Sequence, residues 1–317
     1  MDECTIVSGP SSLRSTRPGL SLLEVLVAMV VMSVVMALIT PLIFAAREMV
    51  EADQLRTATN QGIRAASDLI GTDIRIAGER FPLSNTLPLP PIEIIQATSG
   101  ADTIALRRNL WEGAFPICQN VGTSATTIIV ERPNTWANAG TYPECLQPNT
   151  GGWPVNVSQV RALANTLTGD PEGELRAYIH DPANDRGEFF DFNIPDATTA
   201  AEKRRITVTS GAFDYSYSMS NRPLIYVLED RQYQLQGGIM ELAVNGAAPL
   251  RVAAGVSDFQ ALYVLDDGTT ATALTGGNTW KDIRSVEITV SAESTEGPET
   301  VDRTLTYRYF PRNVLSR

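Results

Sequence analysis

The stretch that decides the fold is residues 17–25, RPGLSLLEV, together with the apolar run that follows it. Residues 25–46 carry no charged side chain, and a helix of that length spans roughly 33 Å at about 1.5 Å per residue. The hydrocarbon core of a bilayer is about 30 Å thick, so this run predicts a membrane-spanning helix. Glu24 lies at the beginning of the helix, where an unpaired carboxylate costs roughly 3 kcal/mol and is usually kept for a function.

These residues resemble the N-terminal signal of type IV prepilins and of type II secretion pseudopilins. Gly19 is followed by an apolar residue, Glu24 is the fifth residue after that glycine, and a long apolar run comes next. The resemblance implies that a prepilin peptidase cuts between Gly19 and Leu20 on the cytoplasmic side and methylates the new amine of Leu20. Leucine departs from the phenylalanine that is more usual there, whereas Pro41 lies where many pilins carry a helix-kinking proline. The alternative is an ordinary signal anchor that contains a glutamate.

The physical chemistry of these residues supports the same interpretation. Gly19 has no side chain to fill a protease cleft, and it tolerates the extended backbone that cleavage needs. After cleavage the amine of Leu20 is cationic, and opposite charges attract strongly in a packed bundle of low dielectric constant. Glu24 of one subunit can then neutralise the amine of a neighbouring subunit. We therefore predict that Glu24 forms the charge pair of assembly.

Charged residues on either side of the apolar run predict its orientation. Arg14 and Arg17 precede the run, whereas Glu48 and Glu51 follow it closely. By the positive-inside rule the N-terminus is cytoplasmic and the bulk of the chain is exported. We expect the precursor in the inner membrane as a single-pass protein, and the processed chain in the periplasm or in a filament on the cell surface.

The composition limits the partners of the exported part. The chain has 317 residues, of which 43% are hydrophobic, so one large or two small domains can follow the membrane helix. Its net charge is −11, which argues against nucleic acid as a direct partner. The sequence has no phosphate-binding glycine motif, and no cofactor is expected.

The cysteines predict one disulfide bond. Cys4 would leave with the leader, and Cys118 and Cys145 remain as an even pair in an oxidising compartment. Closing that loop would stabilise the fold by about 3.5 kcal/mol. Two unrelated buried thiols are the alternative.

The hydrophobic pattern and the resemblance together divide the chain into segments. These are a leader (1–19), a membrane or filament-core half of the helix (20–46), an amphipathic half (47–78), and an exported β-rich head (79–317) with an insertion at about 133–201. Apolar residues recur every three or four positions up to residue 77, charged residues such as Asp73 lie on other faces, and Gly78 and Pro82 predict the end of the helix.

Short β-type runs separated by turn residues follow the helix. Strands are predicted at residues 103–110, 126–132, 205–209, 223–229, 232–236, 239–244, 259–265, 284–292 and 304–310. Residues 157–167 fit a helix or a strand, residues 230–231 a turn, and residues 170–201 a polar, turn-rich segment. The predicted fold class is α+β, with a long N-terminal helix packed on a C-terminal antiparallel β-sheet, as in pilins.

The C-terminal part is similar to the W-type minor pilins. The resemblance rests on residues 73–78, 224–227, 250–263, 280–286 and 312–313. It implies a non-enzymatic minor pilin of a type IV pilus, which other minor and major pilins contact through the N-terminal helix and which primes or caps assembly at low copy. J-type pseudopilins of type II secretion share much of this pattern, so a pseudopilin is the first alternative.

An enzymatic and a metal-binding alternative also arise from the sequence. His180 is the only histidine and adjoins Asp181, so a Ser-His-Asp set in a membrane-anchored periplasmic enzyme or binding protein is conceivable, although no nucleophile-elbow motif accompanies it. Asp266, Asp267 and Asp282 are candidate calcium ligands, because pseudopilins sometimes bind calcium. Their spacing is not that of an EF-hand, and plain solvated turn carboxylates are the preferred interpretation.

Overall fold

The computed structural model describes residues 21–81, 89–150, 152–275, 277–296 and 299–315. The described residues contain three α-helices: α1 (Leu22–Ile76), α2 (Val155–Thr168) and α3 (Arg312–Leu315). The chain divides into two compact units, Met1–Leu55 and Arg56–Arg317. The long helix that the sequence predicts is confirmed, and the predicted leader, residues 1–19, lies outside the described residues.

Sixteen β-strands follow α1 in the described part of the chain. They are β1 (Ile92–Ile95), β2 (Thr103–Asn109), β3 (Phe115–Pro116), β4 (Thr127–Ile129), β5 (Asn149–Thr150), β6 (Trp153–Pro154), β7 (Leu175–Asp181), β8 (Arg186–Asn193), β9 (Arg205–Val208), β10 (Leu224–Gln236), β11 (Ile239–Val244), β12 (Leu250–Ala254), β13 (Val256–Leu265), β14 (Thr270–Ala271), β15 (Ile283–Glu296) and β16 (Glu299–Tyr309).

β10 is the central strand of the larger sheet. This ten-stranded sheet has the order β1-β2-β10-β7-β8-β9-β4, with β3 and β11 also paired to β10 and with β12 paired to β11. A four-stranded sheet has the order β14-β13-β15-β16, and β5 pairs with β6. The pairings of β10, β13 and β15 are antiparallel. The predicted α+β class, a long N-terminal helix followed by antiparallel sheets, is confirmed.

Gly78 ends α1, as the sequence predicts. Its φ of 77° lies in the left-handed region, which glycine adopts without a steric penalty. The amide of Gly78 donates a hydrogen bond to the carbonyl of Arg107 at 2.9 Å. The side-chain amide of Asn313 donates to the carbonyl of Ile76 at 3.1 Å. The C-terminal end of α1 is therefore held by β2 and by α3.

One face of α1 packs in the first of the two large hydrophobic cores of the second unit. The buried side chains of the helix are spaced three or four residues apart: Ile63, Ala66, Ile70, Ile74 and Ala77. They pack in one cluster with side chains from β1, β2, β10, β13, β15 and β16. The amphipathic half of the helix thus packs on the sheets with the periodicity that the sequence predicts.

Gly71 allows the last strand to approach this helix closely. A Cβ atom at residue 71 would overlap the ring of Tyr309. The hydroxyl of Tyr309 donates to the carbonyl of Ser67 at 2.8 Å, and the Arg75 guanidinium lies 5.5 Å from the centre of the ring. β16 therefore reaches α1 at a point where the helix carries no side chain.

A second hydrophobic core lies between α2 and the strands β7, β8 and β9. Residues 157–167, which fitted a helix or a strand, form most of α2, and this helix buries Val157, Val160 and Ala164. Opposite it lie buried side chains of the sheet, namely Ala177, Ile179, Phe190, Phe192 and Ile206. Because β10 contributes its first residues to this core and its later residues to the first core, the one strand joins the two.

The sequence prediction for residues 170–201 is wrong. This segment contains β7 and β8, which lie inside the larger sheet between β10 and β9. Its polar residues are fixed by specific partners, so they do not prevent strand formation: Arg176 Nη1 bonds Asp191 at 3.2 Å, and Glu188 accepts from the hydroxyl of Tyr217 at 2.8 Å. That residues 133–201 are an insertion stays a prediction.

The predicted turn at residues 230–231 is also wrong. β10 runs without interruption from Leu224 to Gln236, and Asp230 and Arg231 are paired with residues of β2. The Asp230 carboxylate accepts from Arg107 Nε at 2.9 Å. A charged pair in the middle of a strand resembles a turn in sequence, but here ion pairing keeps both residues in the sheet.

Candidate functional site

The first turn of α1 is built around a reciprocal pair of hydrogen bonds between Ser21 and Glu24. The Ser21 hydroxyl accepts from the backbone amide of Glu24 at 3.2 Å. In return, Glu24 Oε2 accepts from the backbone amide of Ser21 at 2.9 Å and from its hydroxyl at 3.2 Å. This arrangement is a capping box, which satisfies amide groups that the start of a helix otherwise leaves without partners.

The capping box gives Glu24 a partner within its own chain. A carboxylate in the first turn also interacts favourably with the positive end of the helix dipole. The only partner predicted for Glu24 from the sequence was the amine of another subunit, and its contact with Ser21 was not predicted. The signal was present, because Ser-x-x-Glu ahead of an apolar run is a signature of a helix start. Gly19 and Leu20, the predicted cleavage and methylation residues, lie outside the described residues.

The N-terminal part of α1 exposes an apolar surface. All its residues from Leu22 to Glu51 are exposed in the isolated chain, and this segment is long and apolar enough to cross a membrane. Contiguous apolar surfaces of this extent mark contacts with lipid or with other proteins. The segment therefore fits a membrane-anchored precursor.

Pro41 lies inside this segment of the helix. Proline cannot donate the backbone hydrogen bond of a helix interior and crowds the preceding turn. In the same turn, the hydroxyl of Thr40 donates to the carbonyl of Met36 at 2.6 Å. The role of Pro41 as a kink stays a prediction.

The predicted disulfide between Cys118 and Cys145 is present, and both residues are buried. The amide of Cys118 donates to the carbonyl of Ile129 at 2.7 Å, and the amide of Arg132 donates to the carbonyl of Cys145 at 2.8 Å. The bond therefore fastens the loop before Cys145 to the second core beside β4.

Two of the three candidate calcium ligands, Asp267 and Asp282, use their carboxylates in hydrogen bonds within the chain. Asp267 accepts from the backbone amide and the hydroxyl of Thr269 at 2.8 and 2.7 Å, which holds the pKa of Asp267 below its ordinary value. Asp282 accepts from the backbone amide of Thr279 at 2.7 Å and caps a short turn. Asp266 donates its amide to the carbonyl of Asp282 at 2.9 Å. No group of three or more His, Cys, Asp or Glu within the described ranges is placed to hold a metal ion.

His180 lies on β7 and is buried, with 2% of its surface exposed. Its Nε2 atom has no hydrogen-bond partner among the described residues, and burial lowers its pKa. The adjacent Asp181 carboxylate accepts from the side-chain amides of Asn184 and Asn221 at 2.6 and 3.1 Å. In a catalytic triad the carboxylate orients the histidine and the histidine contacts a hydroxyl. The geometry at His180 shows neither of these contacts.

A buried polar cluster joins α1 to β10. Both carboxylate oxygens of Asp73 accept from Arg231 Nη1 at 3.0 Å, and the hydroxyl of Tyr233 donates to Asp73 Oδ2 at 2.5 Å. Burial and the Asp73 carboxylate both raise the pKa of Tyr233, so that its hydroxyl stays protonated. The sequence pattern placed Asp73 on a face of α1 other than the apolar stripe and gave no sign that this residue is buried, with 3% of its surface exposed. Asp73 directly precedes Ile74 of the apolar stripe. A charged residue beside such a stripe can be either buried or exposed, and the sequence pattern does not distinguish the two.

The family comparison matches the start of the chain only. Residues 14–40 match the family model described as the prokaryotic N-terminal methylation motif, a range that includes Gly19, Leu20 and Glu24. A search of curated proteins and a search of solved structures each found no match. The processing motif and the capped, apolar start of α1 therefore coincide in one stretch of sequence.

Proposed function

We propose that this protein, which is type IV pilin-like in its N-terminal segment, is a minor pilin resembling the W type. A prepilin peptidase removes residues 1–19, and the mature chain enters a type IV pilus at low copy, where it primes or caps assembly. The observation that carries the proposal is the position of the methylation motif, at residues 14–40. This range lies directly before and within α1, whose apolar segment Leu22–Glu51 is wholly exposed.

The exposed apolar surface of α1 must be covered by other molecules both before and after assembly. Before assembly, lipid covers the segment Leu22–Glu51. In a filament, the corresponding helices of other pilins cover it. The protein therefore acts by packing, and its partners are the prepilin peptidase, the inner membrane and the other minor and major pilins.

Glu24 supplies the specific contact in this packing. Cleavage creates a cationic amine on Leu20, and Glu24 of an adjacent subunit neutralises it. Each group alone is costly in an apolar bundle, so subunits that align the two groups are favoured over other registers. The contact exchanges the capping partner of Glu24 within its own chain for an ionic partner in another chain.

The C-terminal resemblance to W-type pilins is the reason that the pilus is proposed first, and a type II secretion pseudopilin, which shares much of this pattern, is the first alternative. The segments that resemble W-type pilins correspond to β10, β12, β13, the start of β15, and α3, and all of them fold as parts of the second unit. The enzymatic alternative has weaker support, because His180 and Asp181 do not form a triad.

Sheared surface filaments provide the test of this function. We expect a small, constant amount of the chain in pili sheared from cells of the source, measured against the major pilin by quantitative mass spectrometry. Absence from sheared pili, together with co-purification with secretion pseudopilins, would favour the pseudopilin.

Replacing the carboxylate tests the charge pair within the same assay. Glu24→Val should insert into the membrane and lose its leader, yet its recovery in filaments should fall at least about tenfold. The reason is that a stranded amine costs about 3 kcal/mol or more in a buried pair. Glu48→Val, the same substitution beyond the apolar run of α1, is the control and should assemble normally. Equal recovery of Glu24→Val and Glu48→Val would refute the pairing.

A further inference from the structure

We propose that the outer edge of β16 binds an extended segment of another exported protein, which joins the four-stranded sheet as a fifth strand antiparallel to β16. This segment carries a basic residue opposite Asp302 and an acidic residue opposite Arg308. The contact lies in the second unit of the chain. It does not depend on the function proposed for α1.

β16 is the outermost strand of its sheet, and its outer edge is open in the described part of the chain. The strand order is β14-β13-β15-β16, and β15 pairs with the inner edge of β16 along its whole length, from Glu299 to Tyr309. Within the ranges that the structure describes, no other element forms a backbone hydrogen bond with β16. Backbone N–H and C=O groups on the outer edge are therefore a template for a further strand.

β16 differs from the other strands that have a single partner in the two larger sheets. β1, β3, β4, β12 and β14 have two to five residues each, whereas β16 has eleven. Its pairing with β15 has no register shift, and it contains no proline. Short strands, bulges and prolines are usual protections of a sheet edge against pairing. β16 has none of these three protections.

The charged side chains of β16 restrict which strand can pair with it. Asp302 is exposed and has no ionic partner among the described residues, and it lies directly opposite Glu293 of β15. Like charges in this position repel each other, so a basic residue on the outer side would relieve the repulsion. Arg308 bonds Glu287 at 2.7 Å, yet its side chain is 52% exposed. Its guanidinium can therefore also donate to an acidic residue on the outer side.

Between these two charges, β16 presents two threonines on the same exposed face. The hydroxyl of Thr304 bonds the hydroxyl of Ser291 at 2.9 Å, and the hydroxyl of Thr306 bonds that of Thr289 at 3.0 Å. Both partners lie on β15. A further strand with hydroxyl side chains opposite Thr304 and Thr306 would continue these two rows outward.

The sequence of β16 is its own complement in an antiparallel pair. Residues 302–308, DRTLTYR, have an acid at one end, a base at the other, and a threonine on each side of Leu305. In an antiparallel pair centred on Leu305, Asp302 of one strand lies opposite Arg308 of the other, and Thr304 lies opposite Thr306. A peptide with this sequence therefore has the chemistry that the edge requires.

A second copy of the whole chain does not fit the edge. An antiparallel pair of identical edge strands has a twofold axis perpendicular to the sheet. This axis reverses the direction of every element that lies on the face of the sheet, including the part of α1 that buries Ile63, Ile70 and Ile74. Copies that share one membrane present this part of α1 in the same direction. The edge is therefore assigned to a different chain.

Peptide binding to the full-length protein in detergent, measured by fluorescence anisotropy, tests the edge. The probe is a labelled peptide with the sequence of residues 301–309, kept dilute so that it does not pair with itself. We expect saturable binding to the wild type, and binding about fivefold weaker to Asp302→Arg because two arginines then lie opposite each other. This variant should fold, since its new base lies opposite Glu293.

A matched control and a second peptide separate this register from general charge attraction. Asp214→Arg makes the same change of charge at an exposed residue outside the four-stranded sheet, and it should bind the first peptide as the wild type does. In the second peptide, aspartate replaces the arginine that corresponds to Arg308. It should bind Asp302→Arg more tightly than it binds the wild type or Asp214→Arg.

Three outcomes would overturn the proposal. The first is no binding to the wild type, and the second is equal binding of each peptide to Asp302→Arg and Asp214→Arg. The third is a wild-type protein that is a dimer in detergent and becomes a monomer on Asp302→Arg, because a second copy would then occupy the edge. None of these outcomes concerns the N-terminus, so the proposed function stands or fails separately.

Discussion

At the scale of single residues, the carboxylate of Glu24 has one partner in the isolated chain and a different partner in the proposed filament. In the isolated chain it accepts from Ser21, which lowers the cost of a charge at the start of an apolar helix. In the proposed filament it faces the amine of a neighbouring subunit. An acid with a local partner can enter the membrane without a partner chain and still prefer an ionic contact later.

His180 provides a pH test at the same scale. Burial lowers its pKa below the ordinary value of 6.5, and the nearby carboxylates of Asp185 and Asp181 oppose this shift without cancelling it. The unfolded chain therefore binds a proton more readily than the folded chain. The contribution of His180 to stability is complete above about pH 6.5 and falls as the pH decreases below that value.

The measurement compares the urea midpoint of unfolding at about pH 7.5 and about pH 5.5. We expect the wild type to lose more stability between these two conditions than His180→Gln, which cannot titrate there. Glu131, whose pKa burial raises, contributes equally to both proteins, so the difference isolates His180. Identical pH dependence in the two proteins would show that His180 is accessible to protons in the folded state.

Two features could be predicted from the sequence because they depend on local chemistry or on a simple count. The spacing of Gly19 and Glu24 ahead of an apolar run indicates the methylation motif, although the roles of these two residues stay predictions. The pair Cys118 and Cys145 follows from an even number of cysteines after the predicted leader. Asp73 could not be assigned, because its burial depends on Arg231, which lies 158 residues away. Sequence pattern carries no information on such a distant partner.

At the scale of elements, α1 has two apolar surfaces, of which one is exposed and the other is buried. Its residues Leu22–Glu51 are exposed and apolar, whereas Ile63, Ile70 and Ile74 are buried against the sheets. The first surface needs an external partner and the second has an internal one. Gly71 belongs to the second surface and sets how closely β16 approaches.

Two glycines of α1 test this packing with the same substitution. Gly71→Ala should destabilise the fold by about 2 kcal/mol, because the new methyl group overlaps the Tyr309 ring in a close-packed core. In Gly62→Ala the nearest atom, the carbonyl oxygen of Ala254, would lie at 3.8 Å, and alanine gains up to about 1 kcal/mol of helix propensity.

Chemical unfolding of the two variants in detergent, followed by tryptophan fluorescence, distinguishes these outcomes. We expect Gly62→Ala to be as stable as the wild type or more stable, and Gly71→Ala to be less stable. A gain in stability for both variants would mean that β16 does not depend on a glycine at residue 71.

Some helices and strands could be predicted from their sequences and others could not. α1 has a long regular period and a glycine stop, and β15 alternates apolar and polar residues, so both could be predicted. β7 and β8 could not, because their polar side chains are fixed by partners such as Asp191 and Tyr217. The sequence predicted two strands in place of β10, because Asp230 and Arg231 resemble a turn. Pairing with β2 keeps β10 continuous through these two residues.

At the scale of the whole chain, the processing motif and the head occupy different parts of the sequence. The methylation motif is confined to residues 14–40, and the two hydrophobic cores lie within Arg56–Arg317. An assembly element of this kind can be common to all subunits of a filament. The head, with its second core between α2 and the strands β7, β8 and β9, can then distinguish this subunit from the others.

The mature N-terminus tests the central claim most directly. Peptide mass spectrometry of native protein should find a chain that begins at Leu20 with a methylated amine, and Gly19→Val should leave the uncleaved precursor in the membrane because its side chain obstructs the cleft. Native protein that begins at Met1, with no methylated Leu20 detected, would contradict the account and leave a membrane-tethered domain in place of a pilin.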